Sequence, residues 1–216
     1  MNQLAEASRL LEDFRAGSLR TSVAKIERKL VGVTGVDASA HVGEIGVGLE
    51  LLTAALLIIK HSKQINEIVH AIGILLALPY LLESGEVVES LSLAAGNTGK
   101  GFDLETNRRI AEFTFIGWQG GPEVVRQNKI FKDFFFLAEA TTEKERELFV
   151  VGLDHPTKFF ESKRSLPQIL RGNDKLGKAF TAKYGTSLKV VKDYFVPRKH
   201  LVAVRDLTEF LPIFAG

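Results

Sequence analysis

Cysteine is missing from all 216 residues. Disulfides, thiolate metal sites and a cysteine nucleophile are therefore excluded, and a cytoplasmic location is expected. No sign of charge dominates. With 28 basic against 26 acidic residues the formal charge is only +2, too little to mark a nucleic-acid binder, so any basic surface has to come from local clustering. Long hydrophobic runs are missing too. Val47 to Ile59 and Ile68 to Leu82 are the most apolar stretches, and both fall short of the ~20 residues that span a bilayer. Glu50 interrupts the first; His70 and Pro79 interrupt the second. They are expected to be buried core helices, with no membrane partner. Met1 to Arg28 is mixed polar and charged, without the apolar stretch of a signal peptide. No repeat or low-complexity tract is visible.

What is present changes period along the chain. Leu4 to Phe14 and Ser22 to Leu30 have helical spacing. Gly32 to Ala38 is a loop, and Asp37 or Ser39 is a candidate cap for a long buried helix over His41 to His61. Glycines 43, 46 and 48 in that helix are expected to mark close packing. Ser62 then caps a second helix that runs to Leu82. Glu86 to Leu93 has strand character, Gly96 to Gly101 is a loop, and Phe102 to Phe115 reads as a hairpin with Asn107-Arg108 at its turn. A helix follows over Glu123 to Glu139 after a loop at Trp118 to Pro122, then a strand over Glu147 to Gly152. Leu166 to Tyr184 is helical with a break at Gly172; Leu188 to Tyr194 and Leu201 to Leu207 are short elements of open type. The expected architecture is α/β with a mixed sheet: a helical extension over 1–61 packed on a core over 62–216, one compact domain overall.

The chemistry gathers at the hairpin. A two-residue turn puts Asp103 directly across from Glu112, and like charges opposite each other on a sheet face are destabilising. A cation between them, or a shared proton, would resolve the conflict. Alternation places Phe102, Leu104, Ala111, Phe113 and Phe115 on one face and Asp103, Glu105, Ile110, Glu112 and Thr114 on the other. Paired carboxylates are hard ligands suited to Mg²⁺ or Mn²⁺. The plain alternative is a solvated hairpin whose acids pair with Arg108 or Arg109.

These residues resemble the PD-(D/E)xK superfamily, the fold of restriction endonucleases and Holliday-junction resolvases. The pattern is an acid on one strand, then acid-x-lysine on the next; here it reads Asp103, then Glu112-Phe113-Thr114. Glu67 stands where the family often has a glutamate on the preceding helix. Gln127 with Phe131 stands where the following helix often has a glutamine and an aromatic. The resemblance covers roughly Ser62 to Gly152. It implies a restriction-endonuclease-like core of helix, three-strand meander, helix and strand, and metal-dependent hydrolysis of DNA. In that picture Asp103, Glu112 and the Phe113 carbonyl hold Mg²⁺ or Mn²⁺, and Glu67 orients a water or a second metal. Gln127, Arg126, Lys129 and Lys132 meet the phosphate backbone. One departure matters: Thr114 replaces the motif lysine. Either a lysine has migrated from the following helix, Lys129 or Lys132, or activity is lost.

Other readings stay beside this one. Glu44 and Glu50 rival Glu67. Glu67-Ile68-Val69-His70 has the Glu-x-x-His spacing of di-metal bundles but no second copy, and is read as chance. Gly96 to Gly101 lacks the first Walker glycine and precedes a strand, so it is read as a turn. A catalytically inactive descendant that binds nucleic acid or a protein is the alternative to a nuclease. A homodimer built on Val47 to Leu82 is a third, and RNA stands beside DNA as a partner.

Overall fold

The alternating hydrophobicity after residue 86 forms strands, and the longer apolar periods on either side form helices. The computed structural model describes residues 3–15, 19–30, 44, 48–93, 101–115, 117, 118 and 123–215. The expectations for Gly32 to Ala38, Ser39, Gly43, Gly46, Gly96 to Lys100 and Gln119 to Pro122 lie outside them. Packing divides the chain into two units, Met1–Asn66 and Glu67–Gly216, with the division inside a helix.

The first unit holds α1 (Gln3–Arg15), α2 (Leu19–Leu30) and the start of α3 (Leu49–Leu81). Two helices were expected where α3 runs as one. Ser62 is therefore not a cap: its hydroxyl donates to the Ile58 carbonyl at 2.7 Å, a back-bond within a continuing helix. Gly48 marks no close packing among the described residues, none of which a Cβ there would meet within 4 Å. The expectation of a buried helix also fails. Leu52, Leu56 and Ile59 are each more than half exposed, and so are Ile68 and Leu76 further along. Among the described residues α3 is the helix long and apolar enough, by length and composition, to cross a membrane.

In the second unit, α3 buries a narrow stripe of His70, Gly73, Ile74, Ala77 and Leu81, the i, i+3, i+4 spacing of one helix face. It covers one side of a five-stranded sheet in sequential order. β1 (Val88–Leu91), β2 (Leu104–Thr106) and β3 (Arg109–Thr114) form an antiparallel meander; β4 (Glu145–Val150) and β5 (Ala203–Asp206) continue it in parallel. Parallel neighbours need crossovers. Helix α4 (Val124–Ala138) links β3 to β4, and α5 (Asp154–Phe160), α6 (Leu166–Leu170), α7 (Asp174–Tyr184) and α8 (Val191–Phe195) lie between β4 and β5.

Two cores flank the sheet. Leu104, Ala111, Phe113, Phe115 and Phe149 pack with the α3 stripe, the Phe113 and Phe149 rings stacked 4.8 Å apart. A Cβ on Gly73 would come within 2.4 Å of the Phe115 ring, so the helix approaches the sheet only because this position has no side chain. On the opposite side Ile110, Leu148 and Val150 meet Phe131, Phe134 and Phe135 of α4 and the C-terminal helices. Phe102 packs with this second core, against the expected alternation, because it precedes β2.

The hairpin turn is where it was expected. Thr106 Oγ1 accepts from the backbone N–H of Arg108 and Arg109, at 3.0 and 2.9 Å. Asn107 Oδ1 accepts from Val87 N at 2.8 Å. Nearby, Arg109 is held by Glu86 (2.7 Å) and Glu147 (2.7 Å), and Arg205 reaches Glu147 at 3.2 Å. Arg108 pairs with Glu83 at 2.6 Å. Neither arginine neutralises Asp103 or Glu112.

Candidate active site

The β2–β3 register pairs Leu104 with Ala111 and Glu105 with Ile110. One step further along the same register lie Asp103 and Glu112, opposite each other as the two-residue turn requires. The ladder stops there. The Phe113 N–H is donated to Asp103 Oδ2 at 2.9 Å rather than to a strand carbonyl. His70 of α3 brings Nε2 to 3.4 Å from Asp103 Oδ1, a long contact, with its ring edge-on to Phe115.

The acidic face of the hairpin is covered by α4. Lys129 Nζ donates to the Phe113 carbonyl at 3.2 Å and to Asp133 Oδ2 at 2.6 Å. Asp133, with no exposed surface, also pairs with Lys132 Nζ at 3.1 Å. Spacing on α4 explains the grouping: Lys129, Lys132 and Asp133 stand at i, i+3 and i+4. Thr114 is buried and supplies no charge, and its hydroxyl has no partner among the described residues.

Electrostatics separate the two hairpin acids. Burial pushes the Glu112 carboxyl up, and the charges of Asp133 and Asp103 together with a hydrogen bond to Asp103 push it further, to about 9, against the opposing pull of Lys129. Asp103 is also raised by burial, but His70, the Phe113 N–H and Lys129 outweigh that and hold it below its ordinary value. Burial lowers Lys129, and Asp133, Asp103 and Glu112 more than reverse this, so it stays protonated. At neutral pH the pair therefore shares one proton, the outcome for two carboxylates that cannot both ionise.

Asp103, Glu112, Lys129, Lys132 and His70 line one cavity of about 890 Å³, with Glu105, Glu139 and Lys175 further round it. Glu67 is exposed one turn before His70 and does not line this cavity. Glu50 is exposed as well, and so is Glu44. Arg126 is ion-paired with Glu123, and Gln127 lines a separate cavity. The basic face expected on α4 is thus split: Lys129 and Lys132 meet the acids, Arg126 and Gln127 do not. Among the described residues no three acidic or histidine side chains are drawn into a ligand cluster. Two carboxylates are, and one or two are what Mg²⁺ ordinarily takes from protein.

Sequence reasoning missed Asp133 and set His70 aside. Asp133 had a signal: a single acid among Phe131, Phe134 and Phe135, four residues after a lysine. His70 had only its isolation in an apolar run.

No family model, curated protein or solved structure matches the chain.

Proposed function

We propose that the chain is a metal-dependent nuclease acting on DNA, with Lys129 in the role of the motif lysine that Thr114 cannot fill. The observation that carries this is the reach of Lys129 from α4 to the Phe113 carbonyl, beside Glu112 on β3. The order of α3, the meander, α4 and parallel β4 supports a restriction-endonuclease-like core.

The donor set fits a divalent cation. Asp103 and Glu112 are half-buried and oppose each other on the hairpin, and a cation placed between them would neutralise both while meeting hard oxygens. Asp103 and Glu112 would hold it. The Phe113 carbonyl keeps one lone pair beyond the contact from Lys129. Bound Mg²⁺ or Mn²⁺ would supply a lowered pKa for a coordinated water and polarisation of the scissile phosphate. Asp103 is kept anionic by His70 and the Phe113 N–H. Lys129, oriented by Asp133, presents a fixed positive charge where the phosphate gains negative charge. Lys132 and Lys175 on the cavity wall would attract the phosphate backbone.

The test pairs calorimetric titration of Mg²⁺ and Mn²⁺ with cleavage assays on branched, nicked and single-stranded DNA. Binding should vanish in Asp103→Ala with Glu112→Ala, and Lys129→Met should keep binding while losing cleavage. Cleavage that survives Lys129→Met would remove the lysine from the mechanism. A second reading, an inactive nuclease-fold protein that binds nucleic acid, is favoured by Thr114 and by the Lys129–Asp133 ion pair; metal binding without cleavage of any substrate would select it.

A further inference from the structure

A second cavity, of about 350 Å³, is lined by Trp118, Gln127 of α4, His155 and Lys158 of α5, and Ser162 and Arg164 beyond it. Among the described residues no carboxylate lines it. The contrast with the first cavity, where Asp103, Glu105, Glu112 and Glu139 stand among three lysines, is one of sign. Neither Lys158 nor Arg164 has an acidic partner among the described residues.

The polar groups around it are unspent. Gln127 is 8% exposed, and its Oε1 has no hydrogen-bond partner among the described residues. The same holds for two buried donors, Trp118 Nε1 and Arg164 Nε. Ser162 Oγ accepts from the Arg164 N–H at 3.2 Å, which leaves its hydroxyl proton to donate. Buried polar groups without partners are costly, and such groups beside a cavity are relieved by a ligand. The donors outnumber the acceptors and two carry full charge, so the complementary ligand is an oxyanion. The indole of Trp118, tilted over His155 with centroids 6.0 Å apart, adds an aromatic surface at the same place.

We infer that this cavity is a phosphate-binding site, distinct from the carboxylate cavity and independent of the chemistry proposed there. Its volume lies at the small end of ligand pockets and suits one phosphate or one nucleotide, not a longer chain. Lys158 and Arg164 take the charge, Ser162 donates to it, and Gln127 with Trp118 meets what the phosphate carries.

Trp118 is the single tryptophan and reports on its own cavity. The 216-residue chain is titrated in EDTA with inorganic phosphate, adenosine monophosphate and adenosine while indole fluorescence is read. Phosphate or the monophosphate should give a saturable change, and adenosine should give none. The monophosphate binding about tenfold tighter than phosphate identifies a nucleotide as the source; equal affinities identify free phosphate. Lys158→Glu, at an exposed position with little folding risk, should weaken binding by at least about tenfold, and Arg164→Met by a similar factor. The inference is overturned by the absence of saturation with either phosphate, by adenosine binding as well as its monophosphate, or by unchanged affinity in both variants.

Discussion

Replacing Glu112 by glutamine should stabilise the protein, and increasingly so as pH rises. The folded Glu112 carboxyl is raised from 4.5 to about 9 by burial and by Asp133 and Asp103. Between those values the folded chain holds a proton that the unfolded chain has released. Stability therefore falls as pH rises, by about 1.36 kcal/mol per pH unit. The favourable contribution is complete below 4.5 and exhausted near 9. From pH 5 to pH 8 the loss approaches ~4 kcal/mol, a large part of a typical ~5–15 kcal/mol total. Glutamine keeps the shape and the donor of the protonated acid but has nothing to ionise. Urea denaturation read by Trp118 fluorescence, at pH steps between 5 and 9, should give a slope for the wild type that Glu112→Gln lacks. Because Asp103 and Glu112 titrate together, that slope belongs to the pair. Adding Mg²⁺ or Mn²⁺ at pH 8 should restore the wild type and leave Glu112→Gln unmoved. Parallel pH curves for the two proteins would refute the reasoning.

Asp133→Asn removes the larger of the two like charges that raise Glu112, so the midpoint of the same pH loss should move towards lower pH. Gly73→Ala drives a methyl into the Phe115 ring; overpacking of ~1–3 kcal/mol should exceed the ~1 kcal/mol that alanine adds to the helix, and urea midpoints would register the net loss. Arg109→Met removes the cation shared by Glu86 and Glu147, leaving Glu147 with Arg205 and Glu86 with the Thr106 hydroxyl, and should cost about 3 kcal/mol by the same measurement. The Arg109 guanidinium also holds Glu86 down to about 2 against its ordinary 4.5, so acid unfolding of the wild type should include a loss of stability as pH falls from 4.5 towards 2 that Arg109→Met does not show.

Much of the second unit was legible because local rules and long-range packing agree there. Asn107-Arg108 dictates a two-residue turn, and the turn alone sets the register that opposes Asp103 to Glu112. The break at Gly172 separates α6 from α7 because glycine lets the chain leave the helix. The α3 region was misread for the opposite reason. An apolar run carries no record of which residues remain exposed, and Ser62 bonds backwards within a helix as readily as it caps one. Asp133 could be read locally only as an i,i+4 partner of Lys129; its influence on the Glu112 carboxyl arises only from the crossing of α4 over β3.

That crossing also explains why one helix serves two cavities of opposite character. Gln127 and Lys129 are two residues apart and so point to opposite sides of α4. The side carrying Lys129, Lys132 and Asp133 closes over the hairpin acids, where positive charge is consumed by carboxylates already in place. The side carrying Gln127 faces Lys158 and Arg164, whose charge is not consumed. An arriving phosphate thus meets a strong local attraction at the second cavity and a nearly balanced field at the first, until a divalent cation tips that balance. The two sites should respond differently to metal: anion affinity at the Trp118 cavity should be unchanged by Mg²⁺, whereas affinity at the Asp103–Glu112 cavity should depend on it. A Trp118 titration that shifted strongly with Mg²⁺ would mean that the two sides of α4 act as one site.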